Sequence, residues 1–271
     1  MHDKIYNMQI ELFEIVLYSM QAVVLVLFIT WLIALARKDN SIMDTAYGIG
    51  FIALALFTYF CSDIPQDLRA GIVTLCAIVW GSRLSIRIWR RNKHKGEDFR
   101  YKAWRDEWTK KGTFYFHIRS ILQIYVLQGI IIGAVGLPII FANTLSSDAF
   151  SVINLFGLLV FCVGFYFEAR ADDELDTFLA HRKEKDTVLQ SGLWKYSRHP
   201  NYFGEALIWW GMALMVVGIV YWPVALLSPL LITYLLRFVS GVPMLESKYK
   251  NNKEYQKYAQ KTNAFIPWLP K

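Results

Sequence analysis

Seven long apolar stretches alternate with charged segments along this chain, and that alternation constrains its fold more than any other feature. They lie at 15–36, 43–61, 68–89, 120–141, 149–168, 203–221 and 223–240. Each runs to about 18–25 residues, enough to cross a hydrocarbon core of ~30 Å as a helix. The expected fold is therefore all-α, a polytopic integral membrane protein with about seven transmembrane helices.

The distribution of Lys and Arg tests this parse, because cationic residues collect in alternate, cytoplasmic loops. Segment 90–113 carries nine, 169–202 carries six and the tail after 240 carries six more, whereas 142–148 and 219–224 carry none. The N-terminus is then expected outside and the C-terminus in the cytoplasm. The formal net charge of +7 belongs mostly to one membrane face, suited to anionic lipid or a phosphorylated ligand, and is not a nucleic-acid footprint. Ala34-Leu35-Ala36 imitates a signal-cleavage site, but the region before it carries Asp3, Glu11 and Glu14 rather than a basic cluster, so a retained helix is expected. Cys61, Cys76 and Cys162 have no metal-ligand spacing, and neither do His2, His94, His117, His181 and His199, so no metal centre is expected. The whole chain, 1–271, reads as a single membrane-embedded domain whose cofactor-binding half covers approximately 149–271.

Long, charged, aromatic loops on one side place function at the cytoplasmic mouth of the bundle. Gly48-Ile-Gly-Phe-Ile-Ala53 matches a dinucleotide fingerprint in letters alone, since it lies inside an apolar helix rather than between a strand and a helix. Close packing by small residues is the reading there, as for Gly129 with Gly133. Ionisable residues within spans are costly and usually face a partner or cavity. They are Asp44, Arg83, Arg87, Glu205 and Arg237, of which Arg87 and Arg237 can also snorkel to the interface. Glu168 and Asp172 share a helix face, followed by Arg182, Lys183 and Lys185. That segment reads either as a solvated charged helix or as a carboxylate that accepts hydrogen bonds beside phosphate-holding cations. In Arg198-His199-Pro200-Asn201-Tyr202, Pro200 disfavours helix at His199 and suits the first turn of the next one. Arg198 and His199 are thus set at a helix start that favours an anion. Asn201 and Tyr202 add neutral hydrogen bonds, and Glu205 lies one turn further in.

At GLWKYSRHPNYFGE the sequence resembles the membrane-embedded superfamily of steroid 5-alpha-reductases and sterol reductases, closest to its bacterial-type branch with a steroid 5-alpha-reductase-like C-terminal domain (DUF1295). WGSRL at 80–84, GEDFRY at 96–101, the Glu168-x-x-x-Asp172 segment and the ending from Ser240 extend the likeness over most of the chain. The resemblance implies a seven-helix fold, NADPH bound from the cytoplasmic side, and reduction of a carbon–carbon double bond in a lipophilic, steroid-like enone or alkene entering from the bilayer. It implies that Asp172, Arg182, Tyr196, Arg198, His199, Asn201, Tyr202 and Arg237 line the cofactor pocket, with Arg100 and Tyr101 of the loop and Glu246 and Tyr255 of the tail. Glu205 stands where sterol reductases carry an acid important for the reaction. Hydride addition to an enone leaves an enolate that needs a proton, so Glu205, Asp44 and Tyr202 are the catalytic candidates. The acid and tyrosine of human-type 5-alpha-reductases have Asp44 and Trp80 as nearest matches, and Trp80 lacks a phenolic proton.

A second family shares part of the pattern. Isoprenylcysteine carboxyl methyltransferases bind S-adenosylmethionine with a similar R-H-P-x-Y-x-G segment and a C-terminal Glu and Tyr, here Arg198–Gly204 and Glu246 with Tyr255. That likeness leaves WGSRL and GEDFRY without a role. The expected location is a bacterial inner membrane, with the cofactor site facing the cytoplasm and a lipophilic substrate and lipids as partners.

Overall fold

The computed structural model describes residues 2–93, 95–145, 150–182, 184 and 186–271, with side chains from Glu11 onward. His94, Lys183, Lys185, the His2 and Asp3 side chains and residues 146–148 of the 142–148 loop lie outside the described residues. The described chain is helical without strands, and six of its helical segments are long and apolar enough to cross a membrane: Glu11–Arg37, Ile42–Phe60, Leu68–Asn92, Thr113–Val135, Val152–His181 and Trp222–Lys248. This is the composition of a multi-pass integral membrane protein.

Stretch 203–221 departs from the seven-span expectation. It forms a helix at Pro200–Met215 of 16 residues, about 24 Å at 1.5 Å per residue, shorter than the other spans. The apolar run continues, but Gly218 and Tyr221 adopt positive φ of 98° and 65°, a conformation that no helix continues through.

Two compact units divide the chain: Met1–Ala149 with Gly218–Tyr221, and Phe150–Val217 with Trp222–Lys271. In the first, α1 (His2–Ser19) and α2 (Gln21–Arg37) lead to a left-handed Lys38 that closes α2. Next come α3 (Ile42–Phe60), α4 (Leu68–Asn92) and the loop helix α5 (Phe99–Thr109). Asp67 and Asp98 cap α4 and α5 by accepting from Ala70 N–H and Arg100 N–H. Then α6 (Thr113–Ser120), a π-helical turn (Ile121–Val126), α7 (Leu127–Val135) and α8 (Leu137–Thr144) complete the unit. Helices α3 and α4 touch backbone to backbone. A methyl group on Gly48 would lie 2.5 Å from the Gly81 carbonyl oxygen, and one on Gly81 would lie 2.7 Å from that of Gly48. The fingerprint-like glycine is a packing glycine, and its partner belongs to WGSRL. Buried Asn143 ties α8 to both helices by donating to Thr58 Oγ1 (2.9 Å), Thr74 Oγ1 (3.0 Å) and the Ala55 carbonyl (3.2 Å).

The second unit is organised by α9 (Val152–His181) and α10 (Pro200–Met215). At 30 residues, α9 is about 45 Å long, so its last turns project beyond a ~30 Å core. Glycines spaced seven apart on both helices let them meet twice. Gly157 faces Gly211, and Gly164 faces Gly204, with methyl groups there 2.7–2.8 Å from the opposing carbonyl oxygens. Gly204 also lies against the backbone of Glu168, so this crossing brings the acidic end of α9 to the start of α10. After α11 (Trp222–Ala225) and α12 (Leu227–Tyr234) comes a π-helical turn (Leu235–Val239). The short α13 (Val242–Lys248) and α14 (Lys253–Lys261) form the tail.

Candidate functional site

The site grows from the turn before α10. Pro200 occupies the first turn of that helix, and His199 precedes it in a non-helical conformation, φ −141° and ψ 61°. The tail holds this turn in place from several directions. Arg198 N–H donates to Asn263 O (2.8 Å) and Trp268 N–H to Tyr196 O (3.0 Å), while Ser197 Oγ donates to Phe265 O (2.7 Å). The Tyr258 hydroxyl reaches the carbonyls of Trp194 and Ser197.

Arg198 does most of the fastening. Its Nε donates to Glu246 Oε1 at 2.8 Å, and its Nη1 to the carbonyls of Ala259 (2.9 Å) and Thr262 (2.7 Å). The same Glu246 oxygen lies 3.2 Å from His199 Nε2. His199 is only 4% exposed, and its ring stacks on Tyr202 with centroids 5.5 Å apart. Burial pushes the imidazole below its ordinary value. Glu246 opposes this, and Arg198 and Arg237 reinforce it, so His199 is neutral at pH 7. Its Nδ1 is buried without a hydrogen-bond partner among the described residues. Burial, then Glu246, pushes the Tyr255 phenol up, out of the range where it would ionise, and Tyr249 stacks on it at 4.9 Å.

On the facing helix, Glu168 and Asp172 are both buried, and Asn201 Nδ2 donates to Asp172 Oδ1 at 3.1 Å. Asn201 Oδ1 is also buried without a partner among the described residues. Glu205 lies half-buried one turn along α10 from Asn201. Arg237 sits in the π-helical turn, near enough to His199 to act on its charge. Such turns are often found at functional positions.

Asp172, Arg198, His199, Asn201, Tyr202, Arg237, Glu246 and Tyr255 are thus gathered in one unit. Two of the residues expected with them lie elsewhere in it. Arg182 lines a groove of about 580 Å³ with Arg170, Glu174, His181 and Ser191. Stepping 100° per residue, Arg170, Glu174 and His181 occupy the side of α9 opposite Asp172. Tyr196 presents its ring outward beside Lys195 and contributes a carbonyl to the tail.

Asp44, Arg100 and Tyr101 form a cluster within the first unit. Asp44 accepts from Arg100 Nη2 through Oδ2 and from the Tyr101 hydroxyl through Oδ1, each at 2.6 Å. Burial and then Asp44 hold the Tyr101 phenol well above its ordinary value. The neighbouring Glu97 accepts from Asn40 N–H (2.8 Å) and takes both arms of Arg105 (2.8 Å each), and Tyr125 donates to Asn40 Oδ1 (3.2 Å). Every polar residue of GEDFRY therefore has a partner, and the motif docks α5 onto the α2–α3 turn. Glu97, inside the motif, and Arg105, Asn40 and Tyr125, outside it, were not singled out from the sequence, because Asn40 and Tyr125 join the cluster from positions 57 to 85 residues away from their partners. Asp44→Ala should leave Arg100 and Tyr101 without their acceptor and speed tryptic cutting at Lys102 about tenfold. Unchanged cutting rates would show that the cluster does not hold the loop.

Comparison with known proteins places the chain further. The family described as Protein of unknown function (DUF1295) matches residues 30–262. A fission yeast protein, the Schizosaccharomyces pombe "Uncharacterized protein C594.04c", is 24% identical over 214 residues. That alignment covers 67% of this chain and 58% of the relative, so the chain spans little more than half of the relative's length. No solved structure matches.

Proposed function

The chain belongs to the DUF1295 family, and we propose that it is an NADPH-dependent membrane reductase of a carbon–carbon double bond in a lipophilic enone or alkene. The observation that carries this reading is the gathered set in the second unit. A helix start, Asp172 with Asn201, and Arg198 with Glu246 and His199 occur together, and two buried acceptors there are left for a ligand. The resemblance to steroid 5-alpha-reductases and sterol reductases supplies the chemistry.

The residues fit such a ligand. First-turn amides of α10 have no intrahelical acceptor and suit a phosphate, and Arg237 adds charge beside them. When bound, NADPH supplies the hydride. Glu205, one turn deeper on α10, is assigned as the group that delivers the proton, and Tyr202, stacked on His199, as a phenol that polarises the substrate. Asp44 is assigned to holding Arg100 and Tyr101, because both its oxygens already accept from them. The orientation that accompanies this reading has the N-terminus outside and the C-terminus in the cytoplasm of a bacterial inner membrane, with NADPH arriving from the cytoplasm and substrate from the bilayer.

One observation favours S-adenosylmethionine-dependent methyl transfer as a second reading. The Arg198 guanidinium is engaged within the protein, which lowers the count of cations available to phosphates. Calorimetry of the detergent-purified protein with NADPH, NADH and S-adenosylmethionine separates the two. The reductase reading expects NADPH to bind, Asn201→Ala to weaken it about tenfold or more, and an enone to drive NADPH oxidation. Binding of S-adenosylmethionine alone would replace it with methyl transfer.

A further inference from the structure

We propose that His199 and Asn201 form an acceptor pair that reads a planar amino group of the bound ligand, of the kind carried by a carboxamide or an aminopurine, rather than a phosphate. The inference rests on the reading that this site takes a nucleotide cofactor, and it assigns which part of that cofactor the Arg-His-Pro-Asn segment meets.

Each residue has one end fixed by a carboxylate, which fixes the character of the other. Glu246 Oε1 sits 3.2 Å from His199 Nε2. An ionised carboxylate only accepts, so Nε2 carries the ring proton and Nδ1 presents a lone pair. The neutral state of the imidazole, set first by burial, keeps that lone pair available. Asp172 Oδ1 sits 3.1 Å from Asn201 Nδ2. The same rule turns the amide nitrogen toward Asp172 and leaves Oδ1 as the remaining end. Both leftover atoms, His199 Nδ1 and Asn201 Oδ1, are buried and unpartnered among the described residues. Both are acceptors, two residues apart, at the first turn of α10.

Buried acceptors without donors are rare, and each calls for an explanation. A phosphate offers only acceptor oxygens at neutral pH and would be repelled by both atoms. Arg198, the cation beside them, already directs Nε and Nη1 to Glu246, Ala259 and Thr262. An amino group on a planar carbon offers two N–H donors, which is what two acceptors require. The phosphates of the same ligand are left to the α10 amides and Arg237.

The test is equilibrium binding to the full chain in detergent with three dinucleotides. They are NADP, its nicotinic acid analogue (carboxamide replaced by carboxylate) and its hypoxanthine analogue (aminopurine replaced by a ring carbonyl). One analogue should bind about tenfold to a hundredfold more weakly than NADP, and which one does so identifies the source of the amino group. In His199→Phe, which keeps the stacked ring, and in Asn201→Ala, NADP should fall toward that analogue while the analogue itself loses little more. Equal binding of all three by the unaltered protein overturns the proposal without any variant having to fold. An analogue penalty that persists undiminished in folded variants, checked by thermal unfolding, also overturns it. If no dinucleotide binds, the reductase reading fails separately. The pair is then judged by the same criterion on S-adenosylmethionine against its inosine analogue.

Discussion

Arg198→Ala is expected to release the C-terminal segment and to cost about 2–4 kcal/mol of stability, the range for removing one partner of a largely buried charge pair. The side chain is 12% exposed and its partner Glu246 26%, so solvent screens the pair only partly. The loss strands a carboxylate and the carbonyls of Ala259 and Thr262. Thermal unfolding and limited trypsin digestion would read it, since Lys248, Lys250, Lys253 and Lys257 all lie in the segment released. Glu246→Ala should behave similarly, and the double variant should add little to either, because both act on one contact network. Arg198→Lys should restore only a minor part, since a single ammonium cannot reproduce the fork of a guanidinium. If Arg198→Ala loses ligand affinity while tail protection and melting stay unchanged, the guanidinium serves the ligand directly.

Gly204→Leu should have a still larger effect, roughly 4 kcal/mol or more, with failure to recover a monodisperse folded protein. A methyl group at this position already meets the Glu168 backbone nitrogen at 2.4 Å and the Gly164 carbonyl at 2.7 Å. Those atoms belong to a helix backbone that cannot rotate aside. Gly164→Leu should match it, because it faces the same crossing. Gly96→Ala is the contrast, with nothing within 4 Å of the added carbon, and should change stability by no more than about 0.5 kcal/mol. Size-exclusion profiles and melting curves in detergent decide the comparison. A Gly204→Leu protein that melts like the parent would mean that α9 and α10 do not cross there.

These two expectations show where the sequence was legible. Apolar runs mark most spans because a bilayer demands uninterrupted hydrophobic length, and six of the seven overlap with long helices. At 203–221 hydropathy continued past the end of the helix, since residue polarity carries no record of the left-handed backbone at Gly218 and Tyr221. The glycine pairs of α9 and α10 were present as two seven-residue spacings, but a spacing within one helix does not name its partner. Arg198-His199-Pro200-Asn201 was legible as a helix start rich in polar groups because its members are adjacent in sequence. That Arg198 works chiefly on the tail was not, because its acceptors stand 48 to 64 positions further along. Arg182 failed to join Asp172 for a rotational reason. Arg182 stands in extended backbone just past the end of α9, and the groove it lines is built on Arg170, Glu174 and His181, on the side of α9 opposite Asp172.

The order in which a ribosome delivers the chain gives the tail fastening a further meaning. The acceptors of Arg198 run out to Thr262, and the segment around it is closed by Phe265 and Trp268. The α9–α10 pair can form once residue 215 has emerged, whereas the turn that holds His199 stays incomplete until Trp268 has been made. A growing or prematurely ended chain can therefore carry the scaffold without a finished site. Assembly of the binding turn waits for residues that follow the scaffold in the chain.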